Sequence, residues 1–159
     1  MSHADFHGRR AVLERTITIH AGPETVFPLL CPVREAEWID GWIGRAVFAE
    51  SGVAEENGVY VTRRDDGGDT IWLVTRHDPV RHEIELVYFM PGLQANRLFV
   101  RVEPLAREKS AIAVRYVRTG LSESGNESVA AAEAQFGTMM DQWESSLDAY
   151  VAGAAAGGR

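Results

Sequence analysis

Four polar residues near the ends of alternating segments could orient a small molecule inside the protein. Tyr88, Asn96, Tyr116 and Arg118 share the parity of apolar neighbours such as Leu86, so they should lie on the inward faces of their strands. Tyrosine hydroxyls and asparagine amides form hydrogen bonds, and an arginine binds a carboxylate or enolate oxygen strongly. Because small-molecule sites are mostly apolar with a few orienting polar groups, this pattern predicts a pocket for a hydrophobic ligand with a polar end.

Each of these residues also has a purely structural interpretation. The tyrosines can be core residues whose hydroxyls reach water or a carbonyl, and Arg118 can lie at the rim with its charge in solvent. Glu133 can pair with Arg118 or remain a solvated carboxylate at the edge of its helix. Phe136 and Met140 are core residues by default, although flexible methionine suits a pocket wall. The candidate ligand-binding residues are Trp42, Trp72, Leu86, Tyr88, Asn96, Tyr116, Arg118, Glu133, Phe136 and Met140.

The sequence argues against a metal, nucleotide or redox site. His77 and His82 lack the spacing and third ligand that zinc requires, and the acidic hairpin 65–69 lacks the distal glutamate of a calcium loop. Cys31 is the single cysteine, which excludes an internal disulfide and favours inert packing. GxGxxG, GxSxG, HExxH and P-loop motifs do not occur. We therefore expect no metal and no cofactor, and we assign no catalytic residue.

The composition and charge of the chain limit the classes of partner that it can bind. The chain has 159 residues, 45% hydrophobic and 25% charged, which are ordinary values for a globular protein of one domain. Its net charge is −7 and it has no extended basic cluster, which argues against nucleic acid and against stable association with anionic membranes. The polar first residues contain no signal-peptide pattern. We expect a cytoplasmic protein.

A long amphipathic helix is predicted from Ser124 to Val151. Apolar residues recur there at three- and four-residue steps, which places them on one helical face. Ser122 or Ser124 can cap its first turn. Trp143 and Leu147 lie at the centre of the apolar stripe and should be deeply buried against another element.

Nearly everything before this helix is typical of short strands. A first strand covers residues 10–20, Pro23 opens a helix bent at Pro28, and a second short helix covers 33–39. Six further strands with short turns follow, at 42–50, 58–64, 70–77, 83–90, 95–103 and 111–119. The order predicts an α+β fold in which the long helix packs on a curved antiparallel sheet of about seven strands. We place one domain at 10–152, with a flexible arm at 1–9 and a flexible tail at 153–159.

Several motifs in this order resemble the START-like superfamily, also called SRPBCC or birch-pollen-allergen-like, which has the helix-grip fold. The motifs are AGPETVF at 21–27, LLCP at 29–32, EWIDGW at 37–42, WLVTRHDP at 72–79, PGL at 91–93 and GLSESGN at 120–126. They are most similar to small bacterial members described as polyketide cyclase/dehydrase or as homologues of the heat-shock ATPase activator. The resemblance implies a deep apolar cavity between sheet and helix. Trp38 and Trp42 flank Asp40-Gly41 and could each cover the cavity mouth or fill the core; we favour the core for Trp38 and the mouth for Trp42.

The resemblance leaves three functions open. The first is binding of a lipid-like, aromatic or polyketide-like ligand in the cavity. The second is an aromatase/cyclase in which Arg118 or a tyrosine polarises a carbonyl while Glu133 or His77 moves a proton. The third is a domain that interacts with a chaperone ATPase, which predicts a filled interior and an exposed patch. Fold alone does not choose among them.

An apolar patch is also predicted on the outward face of the sheet. Val87, Phe89, Phe99 and Val117 have the opposite parity to the inward residues. Adjacent exposed apolar residues often mark an interface, so we predict a homodimer with closed twofold symmetry. The alternative is that the short helices or the N-terminal arm cover this patch.

Overall fold

The computed structural model describes residues 5–157 and shows a seven-stranded antiparallel sheet with one long helix. The strands are β1 (Arg10–Ile19), β2 (Gly44–Phe48), β3 (Val59–Arg63), β4 (Asp69–Asp78), β5 (Glu83–Met90), β6 (Gln94–Ala106) and β7 (Lys109–Gly120). They are arranged in the order β1-β7-β6-β5-β4-β3-β2. Two short segments connect β1 to β2, and the helix α2 (Glu123–Gly157) closes the chain. The predicted α+β helix-grip architecture is confirmed.

The register of the sheet aligns the inward polar residues across neighbouring strands. Trp72 of β4 faces Tyr88 of β5, which faces Asn96 of β6, which in turn faces Arg118 of β7. Cross-strand neighbours on one face lie close enough for their side chains to touch. Because side-chain direction alternates along a strand, the parity that buries Leu86 and Leu98 also brings this polar row to the concave face.

Helix α2 lies along β1 and β7 and is fixed to both by its apolar stripe. Phe136, Met140 and Leu147 are buried against the sheet, and the Ser122 hydroxyl caps the first turn by accepting the Gly125 N–H at 3.0 Å. Trp143 is only partly buried because one side of it borders a cavity. The sequence prediction was therefore right for the burial of Leu147 and wrong for Trp143.

Carboxylates of α2 also occupy the free edge of β1. The backbone N–H of Thr18 donates to Glu144 at 2.8 Å, and that of His20 donates to Asp148 at 2.7 Å. An edge strand otherwise presents unpaired N–H groups that invite pairing with another chain. These two bonds satisfy part of that edge from within the molecule.

Some boundaries differ from the sequence prediction. The first helical segment is a short α1 (Pro23–Val26) continued by a 3₁₀ turn at Phe27–Leu29, because Pro28 lacks the N–H that an α-helix needs. The second is a 3₁₀ helix at Arg34–Glu37. Helix α2 continues six residues beyond the predicted Val151, to Gly157. Parts of the predicted arm and tail, 1–4 and 158–159, lie outside the described residues, and the domain limits stay a prediction. Within 5–157, no helix has the length and apolarity to cross a membrane.

Candidate ligand-binding cavity

A cavity of about 360 Å³ lies between the concave face of the sheet, helix α2 and the segment that contains the 3₁₀ helix Arg34–Glu37. This volume falls within the range of pockets that hold small organic molecules. Its inner wall is mostly aromatic and aliphatic, and its mouth carries exposed charged residues. The lining residues are Glu35, Ile39, Asp40, Gly41, Trp42, Thr62, Arg63, Arg64, Asp65, Thr70, Trp72, Tyr88, Met90, Leu98, Tyr116, Arg118, Met139 and Trp143.

The structure brings half of the sequence-predicted site residues together in this wall. Trp42, Trp72, Tyr88, Tyr116 and Arg118 all line the cavity. The Trp72 and Tyr88 rings stack with centroids 4.3 Å apart, and the Tyr88 and Tyr116 rings meet edge to face at 6.4 Å. These contacts fix the aromatic wall before any ligand arrives.

The other predicted site residues lie outside the main cavity. Leu86 borders a narrow extension beneath it, Phe136 packs edge to face on the Tyr116 ring at 5.9 Å, and Met140 is fully buried. Asn96 is buried beside the cavity, where its Oδ1 accepts the Thr119 N–H at 3.3 Å. Phe136 and Met140 therefore support the wall from behind, and the helix presents Met139 and Trp143 to the cavity instead.

Glu133 does not form the contact with Arg118 that the sequence suggested as one option. It is exposed on the outer edge of α2 and forms an ion pair with Arg9 at 3.0 Å. The helix is rotated so that Met139 and Trp143 approach the sheet at the cavity, which leaves Glu133 beside the N-terminal residues. It cannot move a proton inside the cavity from there.

Arg118 is the positively charged group of the inner wall. It is 8% exposed, its Nη1 donates to Gln94 Oε1 at 3.4 Å, and Gln94 donates in turn to Ser128 Oγ of α2 at 2.7 Å. The guanidinium carbon lies 4.7 Å from the centroid of the Tyr116 ring and 5.9 Å from that of Tyr88, within cation–π range. Within residues 5–157 its Nε has no hydrogen-bond partner. The positive charge of Arg118 is therefore stabilised by an amide oxygen and by aromatic rings.

The two tyrosines of the wall remain neutral across the physiological pH range. Burial raises the pKa of Tyr88 to about 12, opposed by the nearby charge of Arg118. Burial likewise raises the pKa of Tyr116, and the neighbouring Tyr88 and Glu35 add to that rise. Both hydroxyls are therefore available as hydrogen-bond donors to a ligand rather than as bases.

Glu35 is a titratable residue of the cavity wall that the sequence prediction did not include. It is 8% exposed on the 3₁₀ helix Arg34–Glu37 and borders both the cavity and its narrow extension. Burial raises the pKa of its carboxyl group to about 8, so both protonation states are accessible near neutral pH. A signal was present in the sequence, because Glu35 stands three and four residues before the inward-facing Trp38 and Ile39.

The segment around Glu35 is fixed by hydrogen bonds to its own backbone. The Glu35 N–H donates to the Cys31 carbonyl at 2.9 Å. The indole N–H of Trp38 donates to the Leu29 carbonyl at 2.9 Å, and that of Trp42 donates to the Pro32 carbonyl at 2.8 Å. Trp38 is buried and Trp42 lines the cavity. These bonds hold the Glu35 carboxyl group against the cavity.

Two other residues with possible chemistry lie away from the cavity. His77 stacks on Phe27 with ring centroids 5.3 Å apart, outside the cavity wall, so the proton-transfer role considered for it has no support in the structure. Cys31 is buried and burial raises the pKa of its thiol. Among residues 5–157, no group of three or more acidic, histidine or cysteine side chains could hold a metal ion.

Several solved structures have the same architecture as this chain. The Zhui aromatase/cyclase from Streptomyces sp. R1128 matches with a TM-score of 0.70 at 15% identity, over 89% of this chain and 93% of that one. The Mll3558 protein from Rhizobium loti matches with a TM-score of 0.67 at 15% identity, over 89% and 99%. Norcoclaurine synthase from Thalictrum flavum, a point mutant bound to a transition-state analogue, matches with a TM-score of 0.67 at 7% identity, over 95% and 99%.

These similarities define the fold. The chain shares the helix-grip fold of these proteins, which is the fold that the resemblance of its sequence motifs implied. No family model matches the sequence. No curated protein sequence matches it. Because one fold hosts many functions, the function has to be argued from the cavity itself.

Proposed function

We propose that the cavity binds a small, largely apolar molecule that carries one carbonyl, carboxylate or phenol oxygen, with that oxygen placed at Arg118. The single observation that carries the proposal is that Arg118 is a buried arginine facing the cavity, without a carboxylate partner within residues 5–157. A buried charge is costly unless it is paired. A ligand oxygen would supply the missing partner through a charge-assisted bond.

The rest of the wall suits an apolar ligand body. Trp72, Leu98, Met139 and Trp143 offer carbon surface, and their cavity is large enough for a molecule of several rings. The structurally similar proteins include an aromatase/cyclase and norcoclaurine synthase, both named for chemistry on small molecules. The alternative role as a chaperone partner predicted a filled interior, and the cavity argues for ligand binding instead.

The test is a fluorescence titration with a matched pair of aromatic probes. We expect Arg118→Met to weaken binding of 2-naphthoate by about 1.5–3 kcal/mol, the usual worth of a hydrogen bond to a charged group. Binding of the neutral 2-ethylnaphthalene should change little. The control is Arg97→Met, which removes an exposed arginine on the outward face of β6. Equal losses for both probes would mean that Arg118 is structural, and no binding by the parent protein would refute the proposal.

A second candidate function is proton transfer on a bound carbonyl compound, as in an aromatase/cyclase. Glu35 favours it, because the cavity contains both an ionisable carboxyl group with a pKa of about 8 and the Arg118 guanidinium. Glu35 would take a proton from the carbon beside the carbonyl, and Arg118 would stabilise the enolate oxygen. Turnover of a poly-β-keto substrate that is lost in Glu35→Gln and kept in Glu133→Gln would support this function. Absence of turnover would contradict this second function and leave ligand binding as the proposed function.

A further inference from the structure

Among residues 5–157, the carboxyl group of Glu35 has no positively charged partner: no arginine, lysine or histidine of this part of the chain lies within ion-pair distance. Its pKa is raised because the group is buried. Arg118 interacts with Gln94 and two tyrosine rings, whereas Arg63 and Arg64 at the mouth pair with Asp69 and Asp66. The described residues therefore supply neither a cation nor a hydrogen-bond donor that would stabilise this carboxylate inside the cavity.

Indole rings line the same cavity as Glu35. Trp72 and Trp143 line both the main cavity and its narrow extension together with Glu35, and Trp42 lines the main cavity. The indole N–H of Trp72 already donates to Thr62 Oγ1 at 2.9 Å, and that of Trp42 donates to the Pro32 carbonyl. These two rings consequently offer a ligand their carbon surfaces, whose faces attract cations.

We propose that the Glu35 end of the cavity recognises a basic nitrogen, so that the ligand is an aromatic molecule with a protonated amine at Glu35 and an oxygen at Arg118. A protonated amine would pair with the ionised carboxylate and lie against the indole faces. One unpaired acidic group and one unpaired basic group in a single cavity match a ligand that carries both charges. The inference rests on the proposed function because the cavity must bind small molecules, and its test below concerns the Glu35 end alone.

The pairing has a distinct dependence on pH. Below its pKa of about 8, Glu35 must release a proton before it pairs with an ammonium group. Affinity for an amine should therefore rise about tenfold for each pH unit between roughly pH 6 and 7.5 and level off near pH 8. Arg118, Arg63 and Arg64 also line this cavity and carry positive charge. Tyr88, Tyr116 and Cys31 all have pKa values raised above their usual ones, so they stay neutral.

The effects of the other charged groups of the wall on the pH dependence of binding cancel when the parent protein is compared with a variant. Asp40 and Asp65 lie at the exposed mouth and face the same opening. They are identical in the parent protein and in Glu35→Gln, which keeps the shape of the side chain and removes its charge. Any difference in pH dependence between the two proteins therefore reports Glu35.

The experiment is isothermal titration calorimetry with 2-naphthylmethylamine and its neutral analogue 2-naphthalenemethanol. We expect the parent protein to prefer the amine at pH 7.5 and its amine affinity to rise about tenfold for each pH unit. Glu35→Gln should bind the amine at least tenfold more weakly, and its amine affinity should not rise with pH. Alcohol binding should change less than threefold. Titrations in two buffers of different ionisation enthalpy should show release of about one proton per amine bound by the parent at pH 7, and almost none by Glu35→Gln. Glu133→Gln, which removes a carboxylate outside the cavity, should behave as the parent.

Several outcomes would overturn the inference. Equal affinities of the parent for amine and alcohol would do so, as would an amine preference that persists in Glu35→Gln or a flat pH profile without proton release. If 2-naphthoate and the alcohol bind while the amine does not, this inference fails and the proposed function stands. If none of the three probes binds, the proposed function fails and this inference with it.

Discussion

Replacing Glu35 by glutamine should stabilise the protein at neutral and alkaline pH. The folded state raises the pKa of this carboxyl group from an ordinary value of 4.5 to about 8 by burial. The folded state holds the proton of Glu35 more tightly than the unfolded state does. The contribution of this proton to the stability of the fold is therefore complete below about pH 4.5 and is lost as the pH rises through 8. Glutamine is neutral throughout, so it escapes this loss.

The magnitude follows from the two pKa values. One pKa unit corresponds to about 1.4 kcal/mol, so ionising Glu35 inside the fold costs on the order of 5 kcal/mol at pH 8 and above, and about 3 kcal/mol at pH 7. This is a large fraction of the stability of a typical domain, about 5–15 kcal/mol. Glu35 is only 8% exposed, so screening by solvent reduces this free-energy cost little.

The assay is urea denaturation of both proteins between pH 5 and pH 8, read as the difference in free energy of unfolding. That difference should be below about 1 kcal/mol at pH 5 and grow to several kcal/mol in favour of glutamine at pH 8. The carboxylates of Glu37, Asp66 and Asp78 have lowered pKa values and change stability with pH in the opposite sense, but they act equally in both proteins. A difference that is constant over this range would refute the raised pKa.

Two further predictions concern packing and assembly. Leu147→Ala should lower the free energy of unfolding by about 2–5 kcal/mol, because Leu147 is fully buried; an unchanged denaturation midpoint would mean that α2 is not an essential part of the core. The homodimer predicted from Val87, Phe89, Phe99 and Val117 should appear as twice the monomer mass in light scattering at micromolar concentration, and Phe89→Lys should return it to the monomer because Phe89 is 44% exposed on the outward face. A monomer at all concentrations would exclude this interface.

The sequence was sufficient to predict the fold and the inward-facing residues of the later strands. Alternation along β5, β6 and β7 predicts which residues point inward, and the structure buries Tyr88, Tyr116 and Arg118 accordingly. This works because side-chain direction in a strand is a local property of period two, which no packing arrangement changes without shifting the register.

The helix half of the cavity depended on tertiary structure. Periodicity identified the apolar stripe of α2, but Phe136 and Met140 support the core while Met139 and Trp143 line the cavity. All four residues belong to the same broad stripe, and the rotation of the helix against β1 and β7 decides which of them faces the open space. Sequence periodicity defines a face of a helix, whereas the position of that face over the sheet depends on packing.

The environment of Glu35 could not be predicted from the sequence for a related reason. It lies on a short 3₁₀ helix between strands, where hydrogen bonds from Trp38 and Trp42 to the backbone of residues 29–32 help to decide what it faces. In the sequence it is one acidic residue among several in REAEWID. Its raised pKa comes from the apolar groups that surround it in the folded chain, since burial disfavours the ionised form. A local pattern can reveal which way a residue points, but only the tertiary structure brings together the groups that change its chemistry.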